Sequence, residues 1–168
     1  MRVLIAGVGN VLRGDDGFGV EVLRLLKQEA GGATGLTFYE SGIAGIGLVQ
    51  QLLDGYDALI LLDALDRRAE PGTVFVLEPD VAGLSAPGRA REPVDLHQAD
   101  PEAVLRLAAA LGALPRRVWV VGCQAAYTDE LGASLSEPVR RAVPAALQRV
   151  YDILVTLKPT PSGAHGPS

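Results

Sequence analysis

Three short runs of almost uninterrupted apolar residues, at 2–6 (RVLIA), 57–62 (DALILL) and 117–122 (RVWVVG), constrain this chain most. Each is far too short to cross a bilayer, and none alternates apolar with polar side chains as a strand with one wet face would. They read as strands covered on both faces. Further β-rich stretches fall at 36–39 and 73–77, the latter (TVFVL) β-branched and preceded by the turn pair Pro71-Gly72. Between these runs the apolar residues recur at helical spacing. Residues 17–29 carry Val20, Leu23 and Leu26 with Val22 and Leu25 beside them, and residues 43–53 carry Ile46, Val49, Leu52 and Leu53. Residues 101–111 start a helix with Pro101 behind Asp100, and Ser136-Glu137-Pro138 opens a long amphipathic helix to about residue 157, with a possible bend at Pro144.

Strands alternating with helices predict an α/β fold. The expected architecture is a three-layer sandwich, a mostly parallel, roughly five-stranded twisted sheet with helices on both faces. The short link at 67–72 allows one antiparallel pair between the strands it joins. A chain of 168 residues suits one domain and can bury enough surface to need no disulfide or structural metal. Residues 1–157 are expected to form that domain, and 158–168, rich in Pro, Ser and Gly, a disordered tail. Residues 78–100, without clear periodicity and with three prolines, read as a long functional loop.

The net charge of −5 argues against a sequence-independent hold on nucleic acid or on an anionic membrane, since both need a basic face. A protein or small-molecule partner is expected instead. The single cysteine, Cys123, excludes an internal disulfide and suits a reducing cytoplasm, and the start of the chain lacks a signal-like cleavage region.

In open parallel sheets, sites form outside the carboxyl ends of the strands. The first such end is Gly7-Val8-Gly9-Asn10, running on to Asp15-Asp16-Gly17-Phe18-Gly19 at a helix start. One aspartate there suffices to cap the helix and complement its dipole, which leaves a surplus carboxylate to face a ligand. A dinucleotide fingerprint is the competing reading, with Glu40 as the ribose-binding acid. It lacks its third glycine, because Leu12 stands in that place, and two aspartates would repel a pyrophosphate. Asp63 follows the apolar run at 57–62. It reads as a turn-forming residue in isolation, and as a second ligand if the first and third strands are neighbours. His97, the one histidine outside the tail, is the third element. Two carboxylates and an imidazole with open positions suit nickel or zinc better than magnesium or calcium. Cys123 ends an apolar run and reads as a buried small hydrophobe rather than a nucleophile paired with His97.

Gly7-Val8-Gly9-Asn10, Asp15-Asp16-Gly17-Phe18-Gly19, Ser41-Gly42-Ile43-Ala44-Gly45, Asp63-Ala64 and His97-Gln98 resemble, in order and spacing, the nickel-iron hydrogenase maturation endopeptidases over roughly the first 155 residues. The resemblance implies removal of a C-terminal peptide from the nickel-loaded large-subunit precursor. It implies that Asp16, Asp63 and His97 are the metal-contacting and catalytic positions, that the nickel is supplied by the substrate, and that no organic cofactor takes part. Gly42 and Gly45 are the matching substrate-binding positions, although the family's Asp-Gly-Gly-Thr is here Glu40-Ser41-Gly42-Ile43. A non-catalytic nickel-binding module with the same trio is the alternative.

Overall fold

The computed structural model describes residues 1–42, 45–84, 101–126, 131–132 and 134–158. Five strands form one sheet: β1 (Val3–Val8), β2 (Leu36–Gly42), β3 (Ala58–Leu65), β4 (Val74–Leu77) and β5 (Arg117–Gln124), in the order β2-β1-β3-β5-β4. The three apolar runs are the three central strands. Their positions explain their composition, since β1, β3 and β5 have sheet neighbours on both sides and helices over both faces.

Period-two alternation divides each central strand between two cores. Val3 and Ile5, Ile60 and Leu62, and Trp119 and Val121 pack under α1 (Phe18–Ala30) and α5 (Glu137–Leu157). Leu4 and Ala6, Leu59 and Leu61, and Val118 and Val120 pack under α2 (Gly45–Leu52) and α4 (Pro101–Ala110). This is the expected three-layer sandwich. The run expected as a loop from residue 78 includes one helical turn, α3 (Val81–Leu84), and its remainder, 85–100, lies outside the described residues, as do 159–168.

The antiparallel pair differs from expectation. β3 and β4 are consecutive in the chain but do not pair, because β5 lies between them and β4 runs antiparallel to β5. The link between β3 and β4 therefore has to cross the end of β5, and Gln124 holds it there. Its Oε1 accepts the backbone N–H groups of Arg67 (2.7 Å) and Ala69 (3.2 Å), and its carbonyl accepts Gly72 N–H (2.9 Å). Gln124 is buried, so these bonds also satisfy an amide that would be costly to leave unpaired. In α5 the helix runs unbroken through Pro144.

Candidate functional site at the sheet's carboxyl edge

β1 is flanked by β2 on one side and β3 on the other, both parallel to it. The connection leaving β1 runs toward β2 and the one leaving β3 runs the other way, toward β4, so they diverge at the carboxyl ends of β1 and β3, the crevice where open sheets bind ligands. The first and third strands are neighbours, as the reading of Asp63 required. Gly7 is in register with Leu62, which puts Asp63 one residue farther along, level with Val8 and about 5 Å away across the ladder.

β3 continues past the run at 57–62 to Leu65, so Asp63 lies within the strand, opposite Gly122 of β5. It is buried, at 5% exposure. Alternation from Leu61 places it on the α2/α4 face, the face that Ala6 and Val8 share on β1.

Asp15 and Asp16 occupy a 3-10 turn, Gly14–Gly17, which packs against β3 and leads straight into α1. Neither carboxylate caps α1, whose N-cap is Gly17 without a side-chain bond. The expectation that one of them caps this helix is corrected: both serve other groups. Asp15 is fully buried and accepts the N–H and the hydroxyl of Ser136, at 2.7 and 2.9 Å, and the N–H of Ala126 at 2.8 Å. Ser136 precedes α5, so the buried carboxylate lies at the positive end of that helix. Asp16 is only partly buried and accepts the N–H of Asn10 at 2.8 Å.

The glycines of this edge are explained by backbone proximity. A Cβ on Gly9, whose φ is +122°, would fall 1.9 Å from the Asp16 carbonyl oxygen. The turn after β1 therefore folds onto its own 3-10 turn. The Asn10 N–H, which a phosphate-binding turn would leave for an anion, is taken by Asp16. On the other side a bulge sets Gly42 opposite Val8, and the Gly42 carbonyl accepts Gly9 N–H at 3.1 Å. Gly42 has φ +60° and open space at its Cβ position. Gly45 is buried, and a Cβ there would meet Val104 of α4 at 2.4 Å, so its small size lets α2 pack on α4.

The register and the Gly9 contact thus form a short path, Asp63 to Val8 to Gly9 to Asp16, along one edge. His97 lies outside the described residues. Among the described residues, no three histidine, cysteine or acidic side chains group so as to hold a metal ion, so this edge contributes two carboxylates. Cys123 is fully buried under α1 and α5, and burial pushes its thiol up to about 11, with the nearby Asp15 charge adding to the effect. Such a thiol stays protonated near neutrality and offers no nucleophile.

Sequence reasoning missed two anchors, Asp15 and Gln124. For Gln124 a faint signal exists, a polar residue directly after the apolar run of β5. For Asp15 the signal was the doubled acid, but its partners lie 111 and 121 residues away.

Comparisons agree with the architecture. The family model for hydrogenase maturation protease matches residues 20–153, a span that includes Asp63 and His97 and starts just after Asp16. The hydrogenase expression/formation protein HupD of Rhizobium leguminosarum bv. viciae is 33% identical, over 99% of this chain and 82% of its own. HupM of Azotobacter chroococcum is 40% identical, over 87% of this chain and 68% of its own. Among solved structures, the hydrogenase maturating endopeptidase HybD from E. coli superimposes with a TM-score of 0.74 at 25% identity, covering 93% of each chain. The hydrogenase 2 maturation peptidase from a Thaumarchaeota archaeon gives a TM-score of 0.69 at 34% identity, covering 92% of this chain and 98% of that one. The chain belongs to the hydrogenase maturation protease family, and is an endopeptidase of that family. The dinucleotide-binding and non-catalytic readings are set aside with it.

Proposed function

We propose that this hydrogenase maturation protease cuts a C-terminal peptide from the nickel-loaded large-subunit precursor of a nickel-iron hydrogenase, with Asp16, Asp63 and His97 facing the nickel the client carries. One observation supports this most: the β1/β3 register and the Gly9 contact bring the carboxylate-bearing segments of Asp63 and Asp16 to one edge of the sheet. The donor types suit a borderline divalent ion, and without thiolates they would not strip it from a cysteine-rich centre. Water adds to the scissile carbonyl, one of the two carboxylates takes its proton, and the amine leaves with a proton as the C–N bond breaks. Gly42, at the bulge beside Gly9, is proposed to let the client backbone approach, whereas Gly45 is assigned to the packing of α2 on α4. The protease domain is proposed to span 1–157 and to act in the cytoplasm without an organic cofactor. No helix among the described residues is long and apolar enough to cross a membrane.

Processing is read as a mobility shift of the precursor. Asp16→Asn, Asp63→Asn and His97→Ala should each fold and each slow cleavage by at least about 100-fold, the cost of removing one group from a charge-stabilising site. Nickel-free precursor should stay uncut. A folded Asp63→Asn enzyme that processes at the wild-type rate would exclude the trio, and efficient cleavage of nickel-free precursor would exclude nickel recognition.

A further inference from the structure

Two adjacent carboxylates at the head of α1 have opposite environments, and the difference identifies a role for the buried one. In a 3-10 turn, successive side chains point about 120° apart, so Asp15 and Asp16 cannot face the same way. Asp15 is turned inward with 0% exposure. Its Oδ1 accepts Ser136 N–H at 2.7 Å, and its Oδ2 accepts Ser136 Oγ–H at 2.9 Å and Ala126 N–H at 2.8 Å. Ala126 is the second residue after the end of β5, and Ser136 directly precedes α5. One carboxylate therefore ties three separate segments of the chain together at the carboxyl edge of the sheet.

Besides these bonds, the turn packs against β3 and runs into α1. It has no side-chain cap at its own N-cap, Arg13, and it enters through Gly14 at φ +54°. The turn also has local bonds among the described residues, from Asp16 N–H to the Arg13 carbonyl (3.1 Å), from Phe18 N–H to the Asp15 carbonyl and from Asn10 N–H to the Asp16 carboxylate (2.8 Å). Those local bonds shape the turn. They cannot fix its orientation to the rest of the sheet's edge, which the bonds of Asp15 to Ala126 and Ser136 can. Charge-assisted bonds to a buried carboxylate are strong and geometrically demanding, which suits that task.

We infer that Asp15 is a positioning residue for peptide-bond cleavage: by clamping the 3-10 turn to Ala126 and Ser136 it sets the direction in which Asp16 is presented. The inference rests on the reading that Asp16 takes part in processing. A misplacement of about 1 Å in a reacting constellation costs up to about 100-fold in rate, so the effect should be seen in turnover and not only in stability.

The test compares Asp15→Asn, Ser136→Ala and Asp16→Asn with the wild type, using nickel-loaded precursor at a temperature well below each variant's unfolding midpoint. Asp15→Asn keeps the shape but loses the charge. Its kcat should fall between about 10-fold and 100-fold, with KM within about threefold of wild type. Ser136→Ala, which keeps both backbone donors and loses the hydroxyl, should lie between the two. A purely structural Asp15 would lower the unfolding midpoint and leave kcat unchanged in the folded protein, and that result overturns the inference. A raised KM with wild-type kcat overturns it as well, since it would place Asp15 in client binding. If Asp15→Asn fails to fold, Ser136→Ala decides alone: wild-type kcat refutes the clamp and reduced kcat supports it. Asp16→Asn separates the two levels. Full activity there removes the reading of the site itself, whereas an inactive Asp16→Asn beside a fully active Asp15→Asn removes only the clamp.

Discussion

Replacing Gly19 by alanine should separate α1 from the sheet at the end where the site is proposed. Gly19 is buried in the first turn of α1, against the Val8 carbonyl that ends β1 and the Leu62 carbonyl within β3. A Cβ there would stand 2.0 Å from the Leu62 carbonyl oxygen, 2.6 Å from the Leu62 carbonyl carbon and 2.7 Å from the Val8 oxygen. All three are backbone atoms of central strands, so no side chain can swing aside. Since Cβ contacts below 3.0 Å do not occur, the helix must retreat by about 1 Å or more. Gly7 reinforces the closeness from the other side, with its own Cβ position 2.7 Å from the Gly19 carbonyl oxygen. Alanine gains about 1 kcal/mol of helix propensity. Against this, overpacking costs roughly 1–3 kcal/mol, and a gap near 1 Å forfeits up to about half of the dispersion well for each contact that opens. The affected contacts include those of Phe18, Val22, Leu23 and Leu26 in the core below. The net loss should be about 2 kcal/mol or more, a fall of roughly 4–8 °C in the unfolding midpoint for a chain of this size. Precursor processing should fall too, because the turn carrying Asp16 is continuous with α1. Gly32→Ala is the control, since nothing lies within 4 Å of its Cβ position and its φ is not left-handed. It should be neutral, or stabilising by up to about 1 kcal/mol. Calorimetry and the mobility-shift assay read both effects, and a Gly19→Ala protein that melts and processes like wild type would refute the close-packing argument.

Two other expectations concern Cys123 and Pro144. The Cys123 thiol is raised from 9.0 to about 11 by burial, so the stabilisation linked to its protonated form is complete below pH 9 and is lost as pH rises through about 11. The stability gap between wild type and Cys123→Ala in urea titrations should therefore narrow between pH 9 and pH 11 while processing at neutral pH is retained, and a constant gap would contradict the buried-thiol account. Pro144 lies exposed within α5 and removes one helical hydrogen bond, so Pro144→Ala should raise stability by about 1–3 kcal/mol, and a lower midpoint in thermal melts would show that the ring packs usefully where it is.

The central strands were legible because burial on both faces leaves an unmistakable local pattern, and β1, β3 and β5 are the three runs that carry it. Strand order was less so. A short link between β3 and β4 looks the same whether the strands pair directly or a later strand inserts between them. The deciding contacts, from Gln124 to Arg67 and Ala69, span 57 and 55 residues. The doubled aspartate was legible as a surplus of charge. Which of the two is buried was not, because the donors that select Asp15 come from Ala126 and Ser136. Gly45 shows the same limit in reverse: a glycine-rich segment resembling a substrate loop contains one residue whose space is taken by Val104 of another helix.

The weak donor set proposed for the site has a structural consequence. An ion held by several thiolates would organise its own ligands, as structural zinc does, but two carboxylates and one imidazole have little power to gather themselves around nickel that another protein already binds. A protease that reads such an ion needs its own groups aligned before the client arrives, since the free energy of ordering them would otherwise be subtracted from recognition. The edge of this sheet is built in that manner. Asp16 stands between a bond from Asn10 and a buried neighbour, Asp15, held by three donors. Behind it α1 rests on the Leu62 carbonyl with no room for a methyl group. Asp63 belongs to a central strand paired on one side with β1 and on the other with β5. Rigidity at these points, more than the number of ligands, is what would let a low-affinity trio distinguish a nickel-loaded precursor from an empty one.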